Sequence, residues 1–352
     1  MRLEAPCGAS LYSRPDSCPA ALPVSTDSPS TVFLHGGWRC ASTYVWSRFR
    51  ASPLTTCFYE PFAERLAHSS AKRIERDTSG GWDSRHPQLS APYRSEYLPL
   101  LRRVGRGVRG YHEQLALARY FPRDDLGRER SYLDRLIEHA RARGTHPVLG
   151  FSRSLARAAA LKQALGGYHV VIRRDPRQQW LSCRSYRGNG PLPYFELCHL
   201  LILALAPPGS PAGALARSLG LPRPSPWTLS LKRQMQSLHA AVHPCGDELS
   251  YRAFIGVYLL SHALAAPAAD LLLDMERLGG SAQYRDEARE SILDRTGIAV
   301  DFSDCTVAHH DGAGIGLDFA AAEADVRERL IGFGASLDGP VAAPATAEPA
   351  PV

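Results

Sequence analysis

The strongest constraint on this chain is a repeated local pattern, in which a short apolar run stops at a turn signal and a helical period follows. Thr31–His35 (TVFLH) stops at Gly36-Gly37 and leads into a helical segment over Ala41–Arg50. Thr55–Tyr59 (TTCFY) stops at Glu60-Pro61, and Pro147–Phe151 (PVLGF) precedes a helical period over Ser154–Leu165. His169–Arg173 (HVVIR) leads into Pro176–Tyr186, and Leu271–Asp274 (LLLD) lies between helical segments Arg252–Leu264 and Ser281–Thr296. Apolar runs without polar alternation are expected of strands buried on both faces. Their alternation with helices predicts an α/β, P-loop-like fold: a parallel sheet of about five strands with helices on both faces. Residues 66–145 and 187–250 are less regular and are expected to give helices and loops that cover the sheet edge. The domain is placed at 31–338. Residues 1–30 are rich in Pro, Ser and Ala, and 339–352 in Pro and Ala, so both are expected to be disordered tails.

Composition narrows the function classes. Hydrophobic residues make up 44% of the 352, enough for a sizeable core, which excludes a wholly disordered chain. The 41 Lys+Arg against 35 Asp+Glu leave +6, with no long basic run. That balance suits an anionic ligand better than a coat on DNA or RNA, so no nucleic-acid partner is expected. Eight cysteines without a CxxC pair suggest neither a zinc site nor a disulfide framework, and a reducing, cytoplasmic location is expected. No metal cluster is visible. No run approaches the ~18 apolar residues of a membrane span; the nearest candidate, Leu197–Ala206, stops at Pro207-Pro208.

Thr31 to Arg50 reads as strand, tight loop and helix, a geometry that aims helix-start amides at an anion. Against the ATP-binding template GxxxxGK[ST], Gly36 to Thr43 keeps the first Gly and the final Thr. Ser42 stands at the lysine position and Ala41 at the preceding glycine. A phosphate-transferring kinase loses its main β/γ-phosphate contact there. Arg39, Ser42 and Thr43 remain, beside Cys40 and Ala41, and suit a less charged anion held without magnesium. An ordinary strand–helix turn with Ser42 as N-cap fits these residues as well. If the Ala41 position requires positive φ, alanine is strained there. Cys40, at a helix start, is expected to have a lowered thiol pKa.

The second informative segment is HVVIRRDPRQQWLSCRSY, His169 to Tyr186. Asp175 can cap the next helix with Pro176 in its first turn. Arg174 then sits at a strand's carboxyl end, and Ser182 lies about two turns along the helix. Both can reach one phosphate, or Arg174 can pair with a carboxylate and Ser182 face solvent.

Together the two segments resemble the sulfotransferases that use 3′-phosphoadenosine 5′-phosphosulfate. That family carries a strand–loop–helix motif written roughly [PR]-[KR]-S-G-[ST]-[ST], whose place Arg39-Cys40-Ala41-Ser42-Thr43 takes, with Cys for Ser and Ala for Gly. It also carries R-[DN]-P-[RK]-x4-S, which Arg174-Asp175-Pro176-Arg177 and Ser182 match at every fixed position. The resemblance implies that residues 39–43 hold the donor's 5′-phosphosulfate and that Arg174 and Ser182 hold its 3′-phosphate. Carbohydrate members often place a catalytic Glu in Tyr-Glu-Pro after the second strand, which Tyr59-Glu60-Pro61 resembles. A residue before proline favours extended backbone, so Glu60 is expected to project from its strand end as the base. The competing reading has Glu60 capping a helix over Phe62–Ala67 or pairing with Arg65. His86 and His35 are lesser candidates for the base. Arg39 is expected to neutralise charge on the leaving phosphate. The acceptor is expected to be a small molecule or glycan, though a tyrosine or a lipid head group would also fit, with residues 80–97 a candidate loop for it. The alternatives are a P-loop kinase using ATP, or a non-catalytic member of the fold.

Overall fold

The computed structural model describes residues 30–77, 86–122, 126–188, 192–224, 230–243 and 245–337. The expected tails, apart from Ser30, lie outside the described residues, as do residues 80–85 of the candidate acceptor loop. The elements run β1 (Val32–His35), α1 (Ser42–Arg50), β2 (Thr55–Tyr59), α2 (Ala71–Glu75), α3 (Gly127–Arg141) and β3 (His146–Phe151). There follow α4 (Ala158–Leu165), β4 (Tyr168–Arg173), α5 (Pro176–Arg184), α6 (Tyr194–Leu205), α7 (Pro211–Ser218) and α8 (Leu231–Val242). The chain ends with α9 (Asp247–Ala265), β5 (Leu271–Asp274), α10 (Met275–Gly280), α11 (Ala282–Thr296) and α12 (Phe319–Gly332).

The fold is α/β, with a five-stranded sheet in the order β2-β3-β1-β4-β5 in which every pair is parallel. Strand pleating sends neighbouring residues to opposite faces, and both faces are covered. Val32 and Leu34 pack with Val45, Trp46 and Phe49 of α1 and Ile292 of α11. Phe33 packs with Tyr132, Leu133 and Leu136 of α3 and Leu161 of α4. Gly150 makes room for this: a β-carbon there would lie 2.6 Å from the Trp46 ring.

The helix expected over Ser154–Leu165 starts as a 3-10 turn at Leu155–Arg157 and becomes α-helical at Ala158. Arg157 is fully buried at this junction. It donates to the carbonyls of Arg153 and Leu115 and reaches Glu129, which Arg119 also grips at 2.7 and 3.0 Å.

Residues 187–250 do more than cover a sheet edge. Helices α5 to α9 and α12 close a second apolar core of their own. Every residue of α6 from Phe195 to Leu205 is buried, so the run read as the nearest membrane candidate is the axis of this helical core. Among the described residues the segment long and apolar enough to cross a membrane is instead Asp247–Ala268, and 67% of its most apolar window is buried inside the protein. Asp247, Glu248 and Arg252 interrupt its apolar run.

Candidate active site

The strand order fixes where a ligand fits. The connection after β1 crosses to β2 on one side, and the connection after β4 runs to β5 on the other. Adjacent parallel strands whose connections diverge open a crevice at their carboxyl ends, and in open α/β sheets ligands bind there. Both loops singled out in the sequence follow these two strands. A cleft of about 510 Å³ lies at this edge, lined by Arg39, Ala41, Ser42, Thr43, Glu60, Arg174 and Ser182 among others.

The loop after β1 is tightly wound. Arg39 and Ala41 both have positive φ, 65° and 68°. The glycine position of the motif therefore takes left-handed backbone, and alanine bears strain there. Gly36 permits the winding, because a β-carbon would lie 2.6 Å from Cys40 Sγ. No side chain caps α1; its N-cap residue is Ala41, not Ser42. The Cys40 thiol is buried, and burial pushes its pKa up; hydrogen bonds with Ser42 and Gly37 only partly offset this. A reactive thiolate is thus ruled against: desolvation outweighs the helix start.

The two motifs meet. Arg174 Nη1 donates to the Arg39 carbonyl at 2.8 Å, and Arg39 Nε donates to Ser182 Oγ at 3.1 Å. The Arg39 guanidinium stacks 4.4 Å from the centre of the Tyr186 ring. Asp175 caps α5 through Gln178 N, as its position predicts. Burial lowers the Arg174 pKa, and Glu276, 3.8 Å from its Nε, offsets that in part. Ser182 is buried rather than facing solvent. Arg177 turns away from the cleft and grips Glu323 of α12 at 2.8 and 3.1 Å.

Glu60 lies in the cleft, buried, at the end of β2. Its backbone is not extended: φ is +52°, in the left-handed region. Proline disfavours the right-handed helical region for its predecessor, and this turn takes the other helical well. Residues 64–68 then form a 3-10 turn in place of the Phe62–Ala67 helix. The partner of Glu60 is Arg153, not Arg65. Oε2 accepts from Ser152 N at 3.2 Å, Ser152 Oγ at 2.6 Å and Arg153 Nη1 at 2.7 Å. Oε1 carries no partner among the described residues. Arg153 also donates to Glu64 and to Tyr194 Oη, at 2.9 and 2.8 Å. Burial works against the Glu64 charge, but Arg153 and Tyr194 more than offset it and hold that pKa below the ordinary value. Thr43 Oγ1 pairs with Tyr59 Oη at 3.0 Å, and burial beside Glu60 pushes the Tyr59 pKa up to about 12, so the phenol stays protonated.

His86 lines the cleft, its ring 6.5 Å from that of Tyr59. His35 does not reach the cleft lining. It is buried between Ser154 Oγ (2.7 Å) and His169 Nδ1 (2.9 Å), and burial holds its pKa well down. His35 is therefore placed as a buried core group and not as the base. Sequence reasoning missed Ser152 and Arg153. Their signal was available: they follow β3 as Arg174 follows β4, at the same edge of the sheet.

No protein-family model matches the chain, and no curated protein or solved structure matches it. The function therefore rests on the residues.

Proposed function

We propose that the protein transfers a sulfuryl group from 3′-phosphoadenosine 5′-phosphosulfate to a hydroxyl or amine acceptor. One observation carries this reading: Arg39, Arg174 and Ser182 converge by hydrogen bonds across the β1/β4 crevice although 143 residues separate Arg39 from Ser182. Arg174 and Ser182 at that place suit a compact dianion such as a 3′-phosphate, and Arg39, hydrogen-bonded to Ser182, suits the phosphosulfate next to it. The uncapped start of α1, with Ser42 and Thr43, suits the neighbouring phosphosulfate. The Walker lysine, whose position Ser42 holds, is what a kinase reading lacks.

In this reading Glu60 Oε1 takes the proton from the acceptor as its oxygen bonds to sulfur. The bond from sulfur to the phosphate oxygen breaks, and the electron pair leaves with the bisphosphate. Arg39 meets the charge that develops on that leaving oxygen. Preorganised donors of this kind contribute about 2.7–4 kcal/mol at a transition state, so Arg39→Ala is expected to slow turnover roughly 10²–10³-fold.

Calorimetric titration with 3′-phosphoadenosine 5′-phosphate, without magnesium and beside ATP and AMP, tests the reading. Micromolar binding of the bisphosphate that Arg174→Ala abolishes is the expected result. ATP bound only with magnesium would replace it with a kinase, and no binding by any of the three would leave a non-catalytic protein.

A further inference from the structure

Between Leu100 and Tyr111 the chain turns back on itself in a short hairpin outside the sheet. Leu101 and Val108 pair antiparallel, Arg102 N donates to the Gly107 carbonyl at 3.0 Å, and Arg109 N donates to the Leu100 carbonyl at 2.9 Å. The base of the hairpin is bonded to the turn that follows β2. Gly107 N donates to the Ser69 carbonyl at 2.8 Å, and Val108 N to the Leu66 carbonyl at 3.0 Å. Glycine is needed for this approach, because Gly107 has φ 97° and a β-carbon there would lie 2.5 Å from the Ala67 carbonyl oxygen. The tip, Arg103 to Arg106, therefore stands on a fixed base.

Residues 102–109 (RRVGRGVR) hold four arginines and no acidic residue, in a chain whose whole surplus is +6. All four arginines are exposed. Arg102 and Arg109 each give one N–H to a backbone carbonyl, of Tyr111 at 3.3 Å and of Pro99 at 2.9 Å, and none of the four meets a carboxylate among the described residues. The positive field continues onto α3, where the Arg135 side chain lies against Gly110. Two histidines beside the hairpin feel it. Burial first, and then Arg128 and Arg102, hold the His112 pKa below its ordinary value; burial, Arg143 and Arg109 do the same to His139. Amid this charge Val104 is 89% exposed, more than any other large hydrophobic residue among those described.

An apolar tip ringed by cations narrows the partner. RNA or another soluble polyanion would satisfy the arginines but leave Val104 in water, and the hairpin has no aromatic ring on which a base could stack. At a bilayer surface each part has a place. Arginine forks bond phosphate oxygens, and an apolar side chain between them enters the head-group layer. We propose that this hairpin docks the protein on the surface of an anionic bilayer, with Arg103 and Arg106 on lipid phosphates and Val104 inserted between the head groups. The docking is independent of what the cleft transfers.

Co-sedimentation of the full chain with vesicles tests this, with phosphatidylcholine alone set beside phosphatidylcholine mixed with phosphatidylglycerol. Binding to the mixed vesicles only is expected, weakening as salt is raised. Arg103→Gln combined with Arg106→Gln should weaken it roughly 25-fold, at about fivefold for each charge near the surface. Val104→Ser keeps the charge and should still weaken it roughly tenfold, the low end for burying a valine side chain. All three side chains are exposed, so neither variant removes a core contact. Binding to neither vesicle, equal binding to both, full affinity in Val104→Ser, or tighter binding to an RNA or heparin oligomer than to the mixed vesicles overturns the proposal.

Discussion

Arg174 holds the backbone of Arg39, not its side chain: Nη1 donates to the Arg39 carbonyl at 2.8 Å, and Nη2 donates to the carbonyl of Ala308. One guanidinium thus ties the loop after β1 to the segment after α11. Its planar fork reaches two carbonyls at once, which the single ammonium of lysine does not reproduce.

Arg174→Lys is accordingly expected to behave much like Arg174→Ala. Bisphosphate binding should weaken at least tenfold, and stability should fall by about 1.5–3 kcal/mol, the range for hydrogen bonds to charged groups. Urea unfolding beside calorimetry measures both; full affinity in Arg174→Lys would show that the tie is dispensable.

Ala41 has φ 68°. Left-handed backbone costs a non-glycine residue about 1–2 kcal/mol, and glycine loses about 0.4–1 kcal/mol of that advantage through its freer unfolded chain. Ala41→Gly is expected to stabilise the protein by about 0.5–1 kcal/mol. Val at the same position should destabilise it by more. Chemical denaturation of the three proteins decides the order.

Glu129 is enclosed by Arg119 and Arg157, both buried. Removing one partner of a buried ion pair strands the others, at a cost of about 3–5 kcal/mol. Glu129→Ala should lower the midpoint of urea unfolding by that equivalent without touching the cleft. A loss under 1 kcal/mol would mean that the triad is hydrated.

Four buried histidines, His35, His169, His199 and His262, are expected to cost the protein stability in acid. Burial lowers His199 and His262 to about 3 and His169 to about 4, and His35 is also held well down. At pH above 6.5 each is neutral folded and unfolded, so none affects stability. As pH falls from 6.5 towards 4 the unfolded chain takes protons that the folded one refuses, and stability drops. His199 offers a clean check, because its Nδ1 has no partner among the described residues and its ring packs edge-on to Trp38 and Phe254. His199→Phe should lose about 1 kcal/mol less than the parent protein between pH 6.5 and 5.5.

The sheet was legible in the sequence because its strands are short and apolar, and three of them, β1, β2 and β4, are stopped by Gly-Gly, Glu-Pro and Arg-Asp-Pro. Boundaries of β2 and β5 fall at the expected residues, Thr55–Tyr59 and Leu271–Asp274. The placement of Arg39, Arg174 and Ser182 at one edge was legible for a related reason: Arg39 and Arg174 follow the carboxyl ends of β1 and β4, and Ser182 lies about two turns into the helix after β4. Arg153 was overlooked although it follows the end of β3, because its partners are not local: Glu60 and Glu64 come to it from about 90 residues away. The left-handed turn at Glu60 was hidden too, since proline excludes one region of backbone space without choosing among the rest. The helices of residues 187–250 were expected, but not that they close a core of their own, because α6 is buried on every side and carries no periodicity to show which face packs against what.

The strand order also governs how the chain assembles as it is made. Both partners of β1, and the partner of β2, lie at residue 146 or later. No strand of this sheet has a neighbour until β3 leaves the ribosome. Through that interval the apolar edges of β1 and β2 stand open, and the nascent chain depends on α1 and the helices near them to shield two strands that have nothing yet to pair with.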